Sequence, residues 1–251
     1  MKRTQIEKLK RWNTENQNGE SIRIAQLKSG VVKPHGSGLG AFNCDFAIAA
    51  IFLDNDPIAA RKFFFRGAEA DFFLTIRKNN FKVIAPAVYR WSISYAIASD
   101  SEAVMNLYGS LPTRGAAFEI AESHVFRGYQ AAIVGDAKKL KKATKDLKDS
   151  MSHKYRHSQG IVYAFEALLQ KDPEALKDVV PELLRTNKWR NLHNCPNSQM
   201  LSLDTLALIK LANRAGMKIN IEHALLGPTD LQEYKPLKKY SGYPFLKEIG
   251  L

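Results

Sequence analysis

Six lysines crowd one short run: Lys138, Lys139, Lys141, Lys142, Lys145 and Lys148. Ammonium groups at that density can grip phosphates in a salt-sensitive, sequence-blind way. Asp146 and Asp149 dilute the run and no aromatic residue interleaves it, so it lacks the stacking groups of a single-strand platform. A solvated helix face accounts for it more simply. A second stretch, KWRNLHN, places Trp189, Arg190 and His193 among polar residues. Trp and Arg are common anchors of protein interfaces, and irregular loops often carry function. The alternative is a Trp tucked into the core beneath a loop. His153 and His157 stand four apart, as helical zinc ligands do. No Glu follows His153 to serve as the base of a metalloprotease motif, and Lys154, Tyr155 and Arg156 surround the pair, so no metal is expected. Glu119, Glu122, His124 and Arg127 offer either a general acid/base pair or a structural ion-pair network, the network being more common. Arg90, inside an apolar run, wants a carboxylate, and Glu119 or Glu122 are the candidates. The string GSGLG lacks a preceding strand run and a following Lys-Ser/Thr, so it is a solvent loop rather than a phosphate cradle. With no nucleophile elbow, Walker motif, kinase signature or paired-Cys zinc pattern, the chain is expected to be non-enzymatic and free of cofactors.

The elements that carry these residues are helices. The stretch Gly115–Met151 is read as the organising one. Phe118, Ala121, Val125, Ala132 and Ile133 line one face at a 3.6-residue period. Gly135 then stops that helix and Asp136 caps the next. The second helix sets Leu140, Ala143, Leu147 and Met151 opposite the lysines. Two amphipathic helices across so short a break fold back as an antiparallel pair. The same junction, an apolar helix end followed by a capping Asp, recurs at Asp56, Asp100, Asp136 and Asp172, spaced 44, 36 and 36 residues apart. Pro57 and Pro173 follow two of these at the first helical position, where a missing N–H costs nothing. The expected fold is all-α: a compact array of antiparallel helix pairs, a repeat-like bundle with little or no β structure.

In chain order, residues 2–16 form a basic amphipathic helix with Ile6, Leu9 and Trp12 on one side, docked on the body, on a partner or on a membrane surface. Residues 29–40 form a Gly/Ser loop. Helices are expected over 41–54 (central), 57–78 (sandwiched, with Phe63, Phe64 and Phe65), 84–98 and 101–109. Further helices cover 152–171, 173–187 with Pro181 kinking or dividing it, and 202–215, closed by Gly216. Residues 188–200 are irregular and KINIE is a short extended piece. The organisation is one domain, 1–251: a basic N-terminal helix and loop over 1–40, the array over 41–227, and an irregular surface tail over 228–251.

The 251 residues carry Lys+Arg 37 against Asp+Glu 25, a net charge of +12. That balance suggests an acidic partner: nucleic acid, an anionic membrane surface or an acidic protein. There is no apolar run long enough to span a membrane and no secretory signal. Cys44 and Cys195 are expected as reduced thiols in a cytoplasmic protein.

Three stretches, LSLDTLALIKLANRAGMKINIEHALLGP, DPIAARKFFFRGAEADFF and SYAIASDSEAVMNL, resemble the immunity-protein-49 family of bacterial polymorphic-toxin systems. The resemblance covers roughly residues 41–228, rests on hydrophobic patterns, and fixes no toxin-contacting residue. It implies an all-helical, cytosolic, non-enzymatic protein that binds and neutralises a cognate antibacterial toxin. The second expectation is a helical-repeat nucleic-acid-binding protein using the lysine face. A third, a metal-dependent hydrolase built on His153 and His157, is the weakest.

Overall fold

A Gly or polar residue in the left-handed region, followed by a capping side chain, ends one helix and starts the next at four places along this chain. The computed structural model describes residues 3–31, 38–77, 86–112, 121–151, 158–190, 200–236 and 240–249, with backbone alone at 75–77, 86–90, 121–122 and 188–190. Among them lie helices α1 (Arg3–Lys28), α2 (Leu39–Phe52), α3 (Pro57–Ala70), α4 (Pro86–Ala98), α5 (Glu102–Gly109) and α6 (Ala121–Val134). Then come α7 (Ala137–Asp149), α8 (Gln159–Gln170), α9 (Pro173–Arg190), α10 (Leu203–Arg214), α11 (Thr229–Gln232) and α12 (Pro244–Glu248). No strand occurs among the described residues, so the chain is all-α.

The junctions show why the helices turn. At Gly135 (φ 70°) the Asp136 N–H reaches back to Ala131 O at 2.9 Å and the Gly135 N–H to Ala132 O. This double bond pattern satisfies the last carbonyls of α6. Asp136 then accepts from the Lys139 N–H at 2.9 Å and caps α7. Lys171 and Asp172 repeat the device between α8 and α9, and Asp56 caps α3 through the Ile58 and Ala59 N–H groups. The fourth junction departs from the expected pattern. Asp100 is the left-handed residue (φ 58°), and Ser101 takes the cap position of α5. The Asp100 carboxylate faces the interior instead.

The α6–α7 pair, within the stretch read as organising, shares the centre with two other helices. That pair does pack together, but α4 touches α3, α5, α6 and α10, and α10 is buried on every side from Leu203 to Ala212. The principal apolar cluster runs from Leu9 to Leu231 around these two helices. As expected, α2 is nearly all buried. The α3 helix continues as a π-helix over Asp71–Arg77, and α9 runs through Pro181 without division. The α6–α8 contact depends on Gly128, where any Cβ would overlap the Phe165 ring.

The chain ends also differ from expectation. α1 extends to Lys28, buries Leu9 and Leu27, and lies along α2, with Asn16 donating to Asp45 at 2.7 Å. The tail is not a surface path. Tyr243, Phe245 and Leu246 join Leu27, Leu39, Ala70 and Leu74 in a second apolar cluster. The KINIE segment has no strand partner among the described residues. Its backbone is held by side-chain amides: Asn213 bonds both the N–H and the carbonyl of Ile219, and Gln232 does the same for Ile221.

Candidate functional site

A lysine-rich helix with a narrow apolar side must lay that side on a neighbour and leave its cations outside. α7 does so. Leu140, Ala143, Thr144 and Leu147 are buried, and α6 and α8 flank the helix. The lysines therefore divide into two rows. Lys139 and Lys142 face the α6 side, where Asp136 (3.1 Å) and Asp146 (3.0 Å) pair with them. Lys138, Lys141, Lys145 and Lys148 line a groove between α7 and α8, with Ala137, Thr144, Glu166, Leu169 and Gln170. Its volume is about 680 Å3. Lys148 is 3.8 Å from Glu166. Lys138, Lys141 and Lys145 have no ion-pair partner among the described residues.

A second cavity, about 850 Å3, lies on the other side of α7. His124, Arg127 and Gln130 of α6 line it with Lys139, Lys142, Asp146, Asp149 and Ser150. His124 is buried, and Gln130 donates to the Tyr108 and Leu111 carbonyls at 2.8 and 2.9 Å. Of the expected acid/base group this cavity brings His124 and Arg127 together. Glu119 lies outside the described residues, as do His153, His157, His193 and Cys195, while the side chains of Arg90, Glu122, Trp189 and Arg190 are not described. Trp189 and Arg190 sit on the last turn of α9, not in an irregular stretch. Cys44 is buried and forms no disulfide. Among the described residues no group of three or more metal-ligating side chains gathers, and no helix is long and apolar enough to cross a membrane.

The sequence reading missed the strongest electrostatic feature. Lys210 and Asp100 are fully buried, and Arg61 nearly so. Lys210 Nζ donates to both Asp100 carboxylate oxygens at 2.7 Å and to the Glu233 carbonyl at 3.1 Å. Arg61 Nε stands 2.8 Å from Asp100 Oδ2, and its terminal nitrogens reach the carbonyl and carboxylate of Asp230. Burial pushes Lys210 down to about 8, against the pull of Asp100, and burial also raises Asp100, against Lys210 and Arg61. Beside this cluster Arg214 forks onto Glu102 at 2.8 and 3.0 Å, with Tyr234 donating to the same carboxylate. The signal was present: Lys210 interrupts LALIKLA and Arg61 interrupts IAARKFFF. A cation set within an apolar run demands a buried carboxylate. These groups join α3, α4, α10 and the tail, so the cluster is a clamp between elements. No protein-family model, curated protein or solved structure matches this chain.

Proposed function

We propose that the chain is an immunity protein: it binds a cognate antibacterial toxin and neutralises it by protein–protein occlusion. The observation that carries this reading is the disposition of charge. Arg61, Asp100 and Lys210 are consumed by one another and by backbone carbonyls, and Glu102 is held by Arg214 and Tyr234. Lys138, Lys141 and Lys145 have no ion-pair partner among the described residues and line a groove on the surface. Interior charge that fastens helices, with surface charge left for a partner, suits a binding protein. The sequence resemblance supplies the kind of partner. An acidic toxin domain would complement the net +12.

The unpaired lysine row also favours a second reading, nucleic-acid binding, whose affinity falls steeply with salt. One experiment separates the two. The tagged protein is purified from its native source at low and high salt, and bound material is identified by mass spectrometry and by the ratio of absorbances. The proposal expects one polypeptide at near-stoichiometric amount at both salts, which arrests growth when expressed alone and is harmless when the present chain is co-expressed. A retained polypeptide that is harmless alone overturns immunity. Nucleic acid bound at low salt and lost at high salt establishes the second reading.

A further inference from the structure

We infer that the α7–α8 groove seats an acidic amphipathic helix of a protein partner. This deepens the reading of the chain as a protein-binding inhibitor and rests on it.

The spacing of the lysines makes the first argument. Lys138, Lys141, Lys145 and Lys148 follow the i, i+3, i+7, i+10 order of a helix seam. They form one straight row along α7, about 15 Å long at 1.5 Å per residue. A second helix laid alongside, with carboxylates in the same order, meets this row charge for charge.

The floor of the groove makes the second. Ala137 and Leu169 present apolar surface between the cations and α8, with Thr144 beside them. A phosphate chain gains nothing from an apolar floor, whereas an amphipathic helix buries its own apolar edge there. Glu166 stands in the groove beside Lys148 and offsets its charge, so the row is most cationic at Lys138, Lys141 and Lys145. Tyr163, 44% exposed, lies on the same face of α8 as Glu166 and Gln170, at i, i+3 and i+7. Tyr is an effective interface anchor because it brings much contact area at little entropic cost.

The opposite row is an internal control. Lys139 and Lys142 belong to the same helix and carry the same charge, but Asp136 and Asp146 neutralise them. Among the described residues, the α7 lysines without an ion-pair partner are Lys138, Lys141 and Lys145 on the α8 side, so a partner is drawn to one flank of α7 rather than to its charge as a whole.

The test uses the full chain and a fluorescent stapled helical peptide with Glu at i, i+3, i+7 and i+10 and Leu beside the acidic row. A scrambled peptide of equal composition and a single-stranded oligonucleotide of equal charge are titrated in parallel. Two variants with the same charge change are compared: Lys141→Glu with Lys145→Glu, and Lys139→Glu with Lys142→Glu. The expected result is a loss of peptide affinity of at least about tenfold in the first and less than about threefold in the second. Thermal melting checks that each variant folds, and Lys141→Gln with Lys145→Gln stands in if charge reversal unfolds the chain. The groove assignment is overturned by no peptide binding, by equal losses in both pairs, or by an oligonucleotide that binds more tightly than the peptide. A toxin whose affinity ignores Lys141→Glu with Lys145→Glu removes the groove and leaves immunity standing. Selective peptide binding by a chain whose retained partner proves harmless leaves the groove and removes immunity.

Discussion

At the residue scale, Asp71 and Asp100 show how position decides what one carboxylate does. Asp71 opens the π-helix after α3 and takes a bond from Ser92 at 2.7 Å. Burial pushes it up from 3.8 to about 6, with Ser92 and the Gly40 N–H pulling the other way. A carboxyl raised in the folded state holds its proton there after the unfolded chain has lost it. Asp71 therefore subtracts stability as pH rises from 3.8 to about 6, and the loss is complete above that window. Replacing it by Asn, which keeps an acceptor for Ser92, should remove that slope. The variant is expected to gain up to about 3 kcal/mol on the wild type across the window. Urea titrations at pH 4 and pH 7 check it, and an unchanged difference between the two would place the proton elsewhere. Asp100 is the opposite case. Asp100→Ala leaves Lys210 and Arg61 buried without their shared anion and is expected to cost about 3–5 kcal/mol. Asp136→Ala removes a cap and an exposed pair with Lys139 and should cost far less. The two substitutions, compared by denaturant midpoint, separate clamp from cap although the sequence presents both aspartates at the same kind of junction. Similar losses would return Asp100 to a capping role.

At the element scale, the parts of the fold legible in the sequence were those fixed by local rules. Caps at Asp56, Asp136 and Asp172, the left-handed Gly135 and Gly216, and the amphipathic face of α7 are each settled within a few residues. What was not legible depends on partners distant in sequence. Asp100 could not be told from a cap because Lys210 lies 110 residues away. The extent of α1 escaped notice because its middle is polar; its place is set by Asp45 and Tyr243, not by its own periodicity. The lysine row was visible, but its division into paired and unpaired flanks needed the positions of α6 and α8. Gly128 belongs here too: nothing local marks it, yet α6 and α8 approach so closely there that Tyr129 meets Phe165 edge-on with centroids 5.6 Å apart. Gly128→Ala is expected to force those helices apart and to cost about 1–3 kcal/mol by overpacking. Thermal unfolding measures it, and a neutral result would mean that Phe165 has room to turn.

At the scale of the whole molecule, the C-terminal segment closes the array. Its Asp230 and Glu233 carbonyls receive the buried cations, Tyr240 donates to the Ser99 carbonyl at 2.8 Å and stacks on Phe65, and Arg66 lies over the Tyr243 ring. Tyr243, Phe245 and Leu246 bury side chains worth about 1.5–3 kcal/mol each. That sum rivals the net stability of an ordinary domain. A chain cut after Gly227 is expected to lose its cooperative melt by circular dichroism, and a truncated chain melting within a few degrees of the full one would reduce the segment to an ornament. The ends also meet: Lys28 pairs with Glu248 at 2.7 Å, and Tyr243 donates to Glu20. During synthesis α1 is made before α12. The cations of α3 and α10 and one flank of α1 must therefore wait, solvated, for a segment still in the exit tunnel. Burial of those cations is therefore a late step, limited by the arrival of residues 230–248 rather than by the speed of helix formation.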